Sequence, residues 1–512
     1  MRKRYVTFDV NELGRIAAEA VGAERCVNVK KCSDGLYNKA MILSMEDGGQ
    51  VIGKVPNPNA GLAHFTTASE VATMDFVRNI LGTPVPKVYA WNSKAECNPV
   101  GAEYIIMEKI PGVQLERVWN TLEAGQILKV IAAVAQYQKA WMAASFTGIG
   151  CLYYAEDLDP STSEPCVYNA ADGRLIADKR FALGPAIGRE WVNDMRAALN
   201  CNRGPWTSVL DYRKAVGHRE VASVHASSQF PKQLAMLCGP GSYVPTAERK
   251  LSALEAYFKL LRYVLPTDTS LATSHIWHND LHGENIFVDE EDPTKITGII
   301  DWQAVQAIPL FDNSLLPSFL HYEGPPVEGL ERPKMPPDIR EMSKEDQAAA
   351  LKLYEEMSLV VVWRRLIEHM NERLWRTKQY QFSLAWKLLF VSRRIFTLGE
   401  ATLLEIAVDL KDVWADLPGV QANGTPDFPL HFAQEQLDEI KRNSARALNA
   451  MENMDIIRNR LGDMWPEHFC VRHDQYDEAK RKLRETKRKI FEENELGEAS
   501  RAEWEKFWPF DD

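Results

Sequence analysis

The sequence has no long apolar run. Nothing in it approaches the ~18 consecutive apolar residues that a membrane-spanning helix needs. Its basic start, Met1-Arg2-Lys3-Arg4-Tyr5, is followed by no apolar segment, so it does not read as a secretory signal. Asp9, Glu12 and Glu19 also interrupt it as a mitochondrial presequence. Cysteine is sparse, eight in 512 residues, scattered and without a C-x-x-C pair. That excludes a disulfide framework and a cysteine-based zinc site, and reduced thiols in an intracellular protein are expected. Positive charge is in deficit, with a net charge of −11, which argues against general nucleic-acid affinity. There is no internal repeat and no low-complexity tract. What is left, 45% hydrophobic, 26% charged and 10% aromatic, is ordinary globular composition. The length is enough for about three domains.

What is present centres on residues 278–302, H-N-D-L-H-G-E-N-I-F-V-D-E-E-D-P-T-K-I-T-G-I-I-D-W. Two short apolar runs, 286–288 and 296–300, flank a polar turn with Pro293, which is a β-hairpin pattern. A hairpin folds Asp301 back towards Asp280 and Asn285, so three proton- and metal-handling groups meet at one end of it. Phosphoryl transfer needs such a set. One carboxylate orients the attacking hydroxyl and accepts its proton, while an Asn and a second carboxylate hold Mg²⁺ against nucleotide phosphates. The spacing H-x-D-x-x-x-x-N matches the protein-kinase catalytic loop, with Asn279 where kinases carry Arg and Asp301-Trp302-Gln303 in place of D-F-G. The three histidines 275, 278 and 282 lack a fourth ligand for a zinc reading, and His282 is expected to be a neighbour of the site rather than its base.

The rest of the chain is read around that loop. A helix is expected over 8–22, then three strands in a meander around 27–29, 40–43 and 51–55. The first turn, residues 32–35, occupies the position of a phosphate-covering loop. Backbone N–H groups of residues 34–38 could cap phosphate oxygens, and Gly35 would permit close approach. Lys54 lies on the third strand, where a kinase Lys binds the α/β-phosphates. Glu70, on a helix over 67–77 with Val71, Met74 and Val77 on one face, is its expected partner. The strand 104–107 runs into Glu108-Lys109-Ile110-Pro111-Gly112, where backbone groups of Glu108 and Ile110 would meet the adenine. Residues 121–141 and 246–265 read as helices, the latter with Leu251, Leu254, Phe258 and Leu261 inward. Residues 150–245, rich in Pro, Gly and Ser, read as an insertion with short helices that shapes the acceptor pocket. Residues 323–340 read as an irregular loop. Helices are expected over 344–372, 378–393, 397–410, 432–461 and 473–493, the first starting at Ser343 by its capping chemistry.

The form H-N-D-L-H-G-E-N resembles the aminoglycoside phosphotransferase and choline kinase family, and residues 30–312 carry the likeness. Pro309-Leu310-Phe311-Asp312 resembles that family's structural Asp. Residues 64–78 and 100–112 resemble a fungal branch named for altered inheritance of mitochondria protein 9, which implies a mitochondrial location. The cytoplasm is the alternative, given the unconvincing presequence. The implied fold is α+β, two-lobed and protein-kinase-like, with a small β-rich N-lobe (1–110) and a large, mostly helical C-lobe. The C-lobe divides into a core with the catalytic loop (111–325) and a helical extension (326–512). The expected function is transfer of a phosphoryl group from ATP (or GTP) with Mg²⁺ to a hydroxyl of a small-molecule acceptor. Asp280 is catalytic with Asn285, Asn285 and Asp301 hold the metal, and Lys54, Glu70, Gly35, Glu108 and Ile110 bind the nucleotide. The rivals are an inactive kinase-fold protein with a mitochondrial scaffold or binding role, and an enzyme that transfers AMP or phosphorylates protein.

Overall fold

The computed structural model describes residues 5–32, 35–227, 243–465, 471, 475–493, 498–506, 508 and 510. Asp34, Cys238 and Cys470 of the sequence reading lie outside the described residues. The chain divides into two compact units. One comprises Met1–Ala197, Arg203–Tyr212 and Asp268–Gln381, and the other Ala198–Asn202, Arg213–Thr267 and Phe382–Asp512.

The first unit opens with helix α1 (Val10–Val21), capped by Asp9, whose carboxylate accepts from the Asn11 and Glu12 N–H groups. Strands β1 (Cys26–Lys31), β2 (Asn38–Met45) and β3 (Gln50–Pro56) form the expected meander. Helix α2 (Phe65–Asn79) follows, then β4 (Val88–Asn92) and β5 (Tyr104–Glu108). The sheet is antiparallel in the order β1-β2-β3-β5-β4, with α2 inserted between β3 and β4. That order is the kinase-like N-lobe, and with the helical C-terminal region it gives the α+β, protein-kinase-like fold expected.

Helix α2 differs from the sequence reading. A single apolar face was expected, but eleven of its residues, from Thr66 to Val77, are buried. The cause is a second, six-stranded sheet that the sequence reading missed. Its strands include Ser145–Phe146, Cys151–Tyr154, Glu164–Asn169, Leu175–Gly184, Ser274–Ile276 and Ala307–Pro309. Phe76 of α2 packs within 5.3–5.6 Å of the rings of Phe146, Tyr168 and Phe181 on this sheet. Tyr154 donates to Asp75 at 2.9 Å. The inserted region thus holds strands that were not expected beside the helices that were, a short one at Arg189–Val192 and a long one at Val209–Ala226. Pro165 and the exposed first half of the strand Leu175–Gly184 hid the strands from a periodicity reading.

The predicted hairpin forms: Ile286–Val288 pairs with Ile296–Ile299, and Ile286 faces Ile299. Val113–Gln114 adds a third strand on its other side. Further on, Ser343 caps Lys344–Met370 as expected, its hydroxyl accepting from the Asp346 N–H. The helix expected over 378–393 is two helices, Glu372–Tyr380 and Leu384–Ser392. The break lies at Gln381, whose amide is drawn to the carbonyls of Phe311 and Asn313.

In the second unit, Thr246 caps Ala247–Val264. Leu254 and Leu261 are buried as expected, while Leu251 and Phe258 are only partly covered and Lys250 and Tyr257 are inside. Lys250 is held in a buried ion pair: it donates to Glu400 at 2.8 Å and to the Ile395 carbonyl at 2.7 Å.

Gly112 closes the strand exit of the first unit. Its φ is +93°, and a Cβ there would lie 2.0 Å from the Val288 carbonyl oxygen. Only glycine fits both the conformation and the close approach. Gly112→Ala should cost at least ~2 kcal/mol, read as a lower melting temperature. An unchanged melting temperature would contradict this geometry.

Candidate functional site

The hairpin brings its two ends together. Ile300 donates its N–H to the Asn285 carbonyl at 2.9 Å. His278 is buried and its Nε2 meets the Ile300 carbonyl at 2.9 Å, while its ring stands edge-on to Trp302. Trp302, fully buried, donates its Nε1 to the Ile299 carbonyl and packs against Trp141. Between these anchors Asp301 adopts φ +62°, a left-handed conformation that costs a non-glycine residue free energy. The anchors on both sides hold it there.

Lys54 reaches Asp301 from β3. Its Nζ donates to Glu70 Oε1 at 2.6 Å and to Asp301 Oδ1 at 2.8 Å. Lys54 and Glu70 are buried, whereas the Asp301 side chain is 37% exposed. Burial works against the Lys54 ammonium, but Asp301 and Glu70 outweigh it and raise its pKa. For Asp301 burial pushes the carboxyl up, but Lys54, His278 and Arg189 hold it below the usual carboxylate range. Burial pushes the Glu70 carboxyl up, further than Lys54 pulls it down.

Asp280 and Asn285 sit together on the other side of the loop. Asn285 donates its Nδ2 to the Asp280 carbonyl at 2.9 Å. Its Oδ1 is left free of that bond, as is Asp301 Oδ2 of the Lys54 contact. A carboxylate and an amide oxygen are hard donors of the kind Mg²⁺ takes, so these residues fit that ion. The Asp280 carboxylate is exposed and contacts His282 Nε2. Asn279, in the kinase Arg position, instead bonds Asn313 and accepts from the Ser314 N–H, tying the loop to the segment after Asp312. Asp312 is buried. His275 is remote in role: its ring bonds the Ala144 carbonyl and Thr273, and burial, with Arg373 adding, pushes its pKa down to about 3.

Lys54, Glu70 and Asp301 therefore meet, and Asp280 and Asn285 meet. The side chains of Glu108 and Ile110 are not among them. Glu108 accepts from the Lys87 N–H and pairs with Arg78, and Ile110 covers Gly298. Both line a cleft of about 470 Å³ with Tyr137 and Thr297. Gly35 is exposed and not left-handed; a Cβ there would lie 3.3 Å from the Asn38 carbonyl. The backbone there does not demand glycine.

Sequence reasoning missed Arg189. It opens the short helix Arg189–Val192 after the inserted sheet. Its guanidinium lies 3.4 Å from the centroid of the Tyr37 ring and donates to Gln303 Oε1 at 2.7 Å and the Ala60 carbonyl at 2.8 Å. Gln303 and Asn38 exchange amide hydrogen bonds at 3.1 and 3.3 Å. No motif marks Arg189; the Gly184-Pro185 and Gly188 breaks before it are the only local signal.

A family model described as phosphotransferase enzyme family matches residues 224–316. A subtelomeric hrmA-associated cluster protein of Aspergillus fumigatus is 30% identical over 382 residues, 68% of this chain and 72% of that protein. Altered inheritance of mitochondria protein 9, mitochondrial, of Lachancea thermotolerans is 25% identical over 400 residues, 72% of this chain and 62% of its own. The solved ADP-bound aminoglycoside phosphotransferase APH(2'')-Ib aligns with a TM-score of 0.33 and 14% identity, over 76% of this chain and 99% of that one. The chain belongs to the phosphotransferase enzyme family, and its relatives include the fungal branch expected from residues 64–78 and 100–112.

The His282–Asp280 contact has a titration signature. The hydrogen bond to Asp280 raises the His282 pKa above its ordinary value. A raised folded-state pKa means the contact contributes fully below the ordinary His value and is lost as pH rises through the raised one. Asp280→Asn should lower the His282 midpoint, followed by NMR of the ring. An unshifted midpoint would contradict the contact.

Proposed function

We propose that the protein is an ATP- (or GTP-) and Mg²⁺-dependent phosphotransferase that moves the terminal phosphoryl group to a hydroxyl of a small molecule. The observation that carries this reading is the meeting of Lys54, Glu70 and Asp301 at 2.6 and 2.8 Å in a chain of the phosphotransferase family. Lys54, fixed by Glu70, grips the nucleotide phosphates. Asn285 and Asp301 hold Mg²⁺, which when bound shields the phosphate charge. Asp280 orients the acceptor hydroxyl and takes its proton as the oxygen attacks and the nucleoside diphosphate leaves. The exposure of Asp280 at the loop surface suits a base that must meet an acceptor from solvent. Backbone groups of Glu108 and Ile110 receive the base, and the loop with Gly35 covers the phosphates. We keep residues 1–110 as the nucleotide lobe, 111–325 as the catalytic core and 326–512 as its helical extension.

Most of the rate in this scheme comes from positioning and charge stabilisation. The acceptor is read as a small molecule because the family's loop form, rather than the H-R-D of protein kinases, is what the chain carries. Relatives named as mitochondrial support a mitochondrial location.

The test is acceptor-dependent release of nucleoside diphosphate from Mg-ATP over a panel of hydroxylated small molecules. Asp280→Asn should lower it by a factor of about 10²–10⁴ while Mg-ATP affinity stays near wild type, because the phosphate and metal contacts remain. A mutant with full activity would remove Asp280 from its role.

A further inference from the structure

Among the described residues, Arg189 forms no ion pair. Its guanidinium is largely covered, and its partners among the described residues are a backbone carbonyl, an amide oxygen and an aromatic ring. Burial lowers its pKa, while Tyr37, Asp301, Glu70 and Asp280 pull the other way. So three site carboxylates feel Arg189, yet none is within ion-pair distance of it. A largely covered cation that stands off from the anions around it is costly unless a ligand completes it.

Its surroundings say which ligand. Tyr37 ends the loop between β1 and β2, and Gln303 lies two residues beyond Asp301. Lys54 bonds Asp301 directly. The space between these elements is therefore bounded by two cations, Lys54 and Arg189. Only two of the five N–H donors of Arg189 are used on protein oxygens. The planar fork that remains suits the oxygens of a phosphoryl group.

The turn that delivers it is rigid. A Cβ at Gly188 would lie 2.0 Å from Gln306 Nε2, and Gln306 donates to Glu190 at 3.0 Å. Trp191 and Val192 are buried behind it. The side chain is thus presented from a fixed backbone, as a preorganised contact requires.

We propose that Arg189 contacts the terminal phosphate of the bound nucleotide, as an arginine supplied by the inserted segment, and is parked on Tyr37 and Gln303 when the nucleotide is absent. This rests on the nucleotide reading above and adds to it a residue outside the kinase motif set. An arginine in that place stabilises the charge of the group in transfer. It also separates nucleoside triphosphates from diphosphates, because only the former carry the phosphate it reads.

Calorimetry with Mg-ATP and Mg-ADP tests it, on wild type and Arg189→Gln, with the melting temperature of each ligand-free protein as the check of folding. The wild type should bind Mg-ATP roughly tenfold more tightly than Mg-ADP, the size of one charge-assisted bond. Arg189→Gln should bring that ratio close to one with Mg-ADP affinity nearly kept. An unchanged ratio, or equal loss for both nucleotides, would make Arg189 a structural residue and overturn the proposal. If Arg189→Gln does not fold, Arg189→Lys decides: a wild-type ratio in it overturns the proposal, and a reduced ratio supports it. A wild type that binds neither nucleotide overturns this inference and the nucleotide reading together. Binding with an unaltered ratio in the variant overturns this inference alone.

Discussion

The Lys54 ammonium, held between Glu70 and Asp301, is the constraint on which the site depends. It joins three parts of the first unit: strand β3, helix α2 and the end of the hairpin formed by Ile286–Val288 and Ile296–Ile299. Each part has its own support. Strand β3 is central in its sheet. Asp301 is held in a left-handed conformation by the bonds of Ile300, His278 and Trp302. Removing one partner of a buried pair strands a charge, at a cost of about 3–5 kcal/mol. Breaking the pair is therefore costly, although the desolvation of both charges offsets much of what forming it contributes.

Helix α2 is held from its far side as well. Phe76 is enclosed by three aromatic rings of the inserted sheet, and Asp75 accepts from Tyr154. In a protein kinase, positioning of the corresponding helix is what controls activity. Here the sheet that packs on α2 braces the helix that carries Glu70 beside Lys54. The inserted segment then continues to Arg189, so one stretch of chain both braces the helix and brings a cation to the edge of the site. Burial in a close-packed interior leaves such a helix few alternative positions.

The parts of the site that sequence made visible are those fixed by local chemistry. The 278–285 loop carries its proton and metal groups at set spacing, and two β-branched runs around a polar turn specify the hairpin that returns Asp301 to it. Lys54 and Glu70 were legible because they fall on a strand and a following helix at the positions where a kinase-like fold carries its phosphate-binding Lys and that Lys's Glu partner. The six-stranded sheet was not, since its six strands are spread between residues 145 and 309 and Ser274–Ile276 pairs with Ser145–Phe146 far back in the chain. Pro165 and the exposed residues of the strand Leu175–Gly184 weaken its pattern further. Lys250 is buried against the usual rule for a lysine on a helix, with its ammonium paired to Glu400. Arg189 was invisible for a related reason. Its role follows from Tyr37 and Gln303, which lie 152 residues before it and 114 after it.

The central claim is that Lys54, Asn285 and Asp301 form a nucleotide site that needs a divalent metal. The most direct measurement is the melting temperature of wild type and Asp301→Asn with ATP, with and without Mg²⁺. A ligand at about 100 times its dissociation constant adds ~2.7 kcal/mol to the folded state, a shift that is readily seen. The account predicts a rise in wild type that requires Mg²⁺ and is lost in Asp301→Asn. A rise of equal size in the mutant, or no rise with either ATP or GTP, would contradict it.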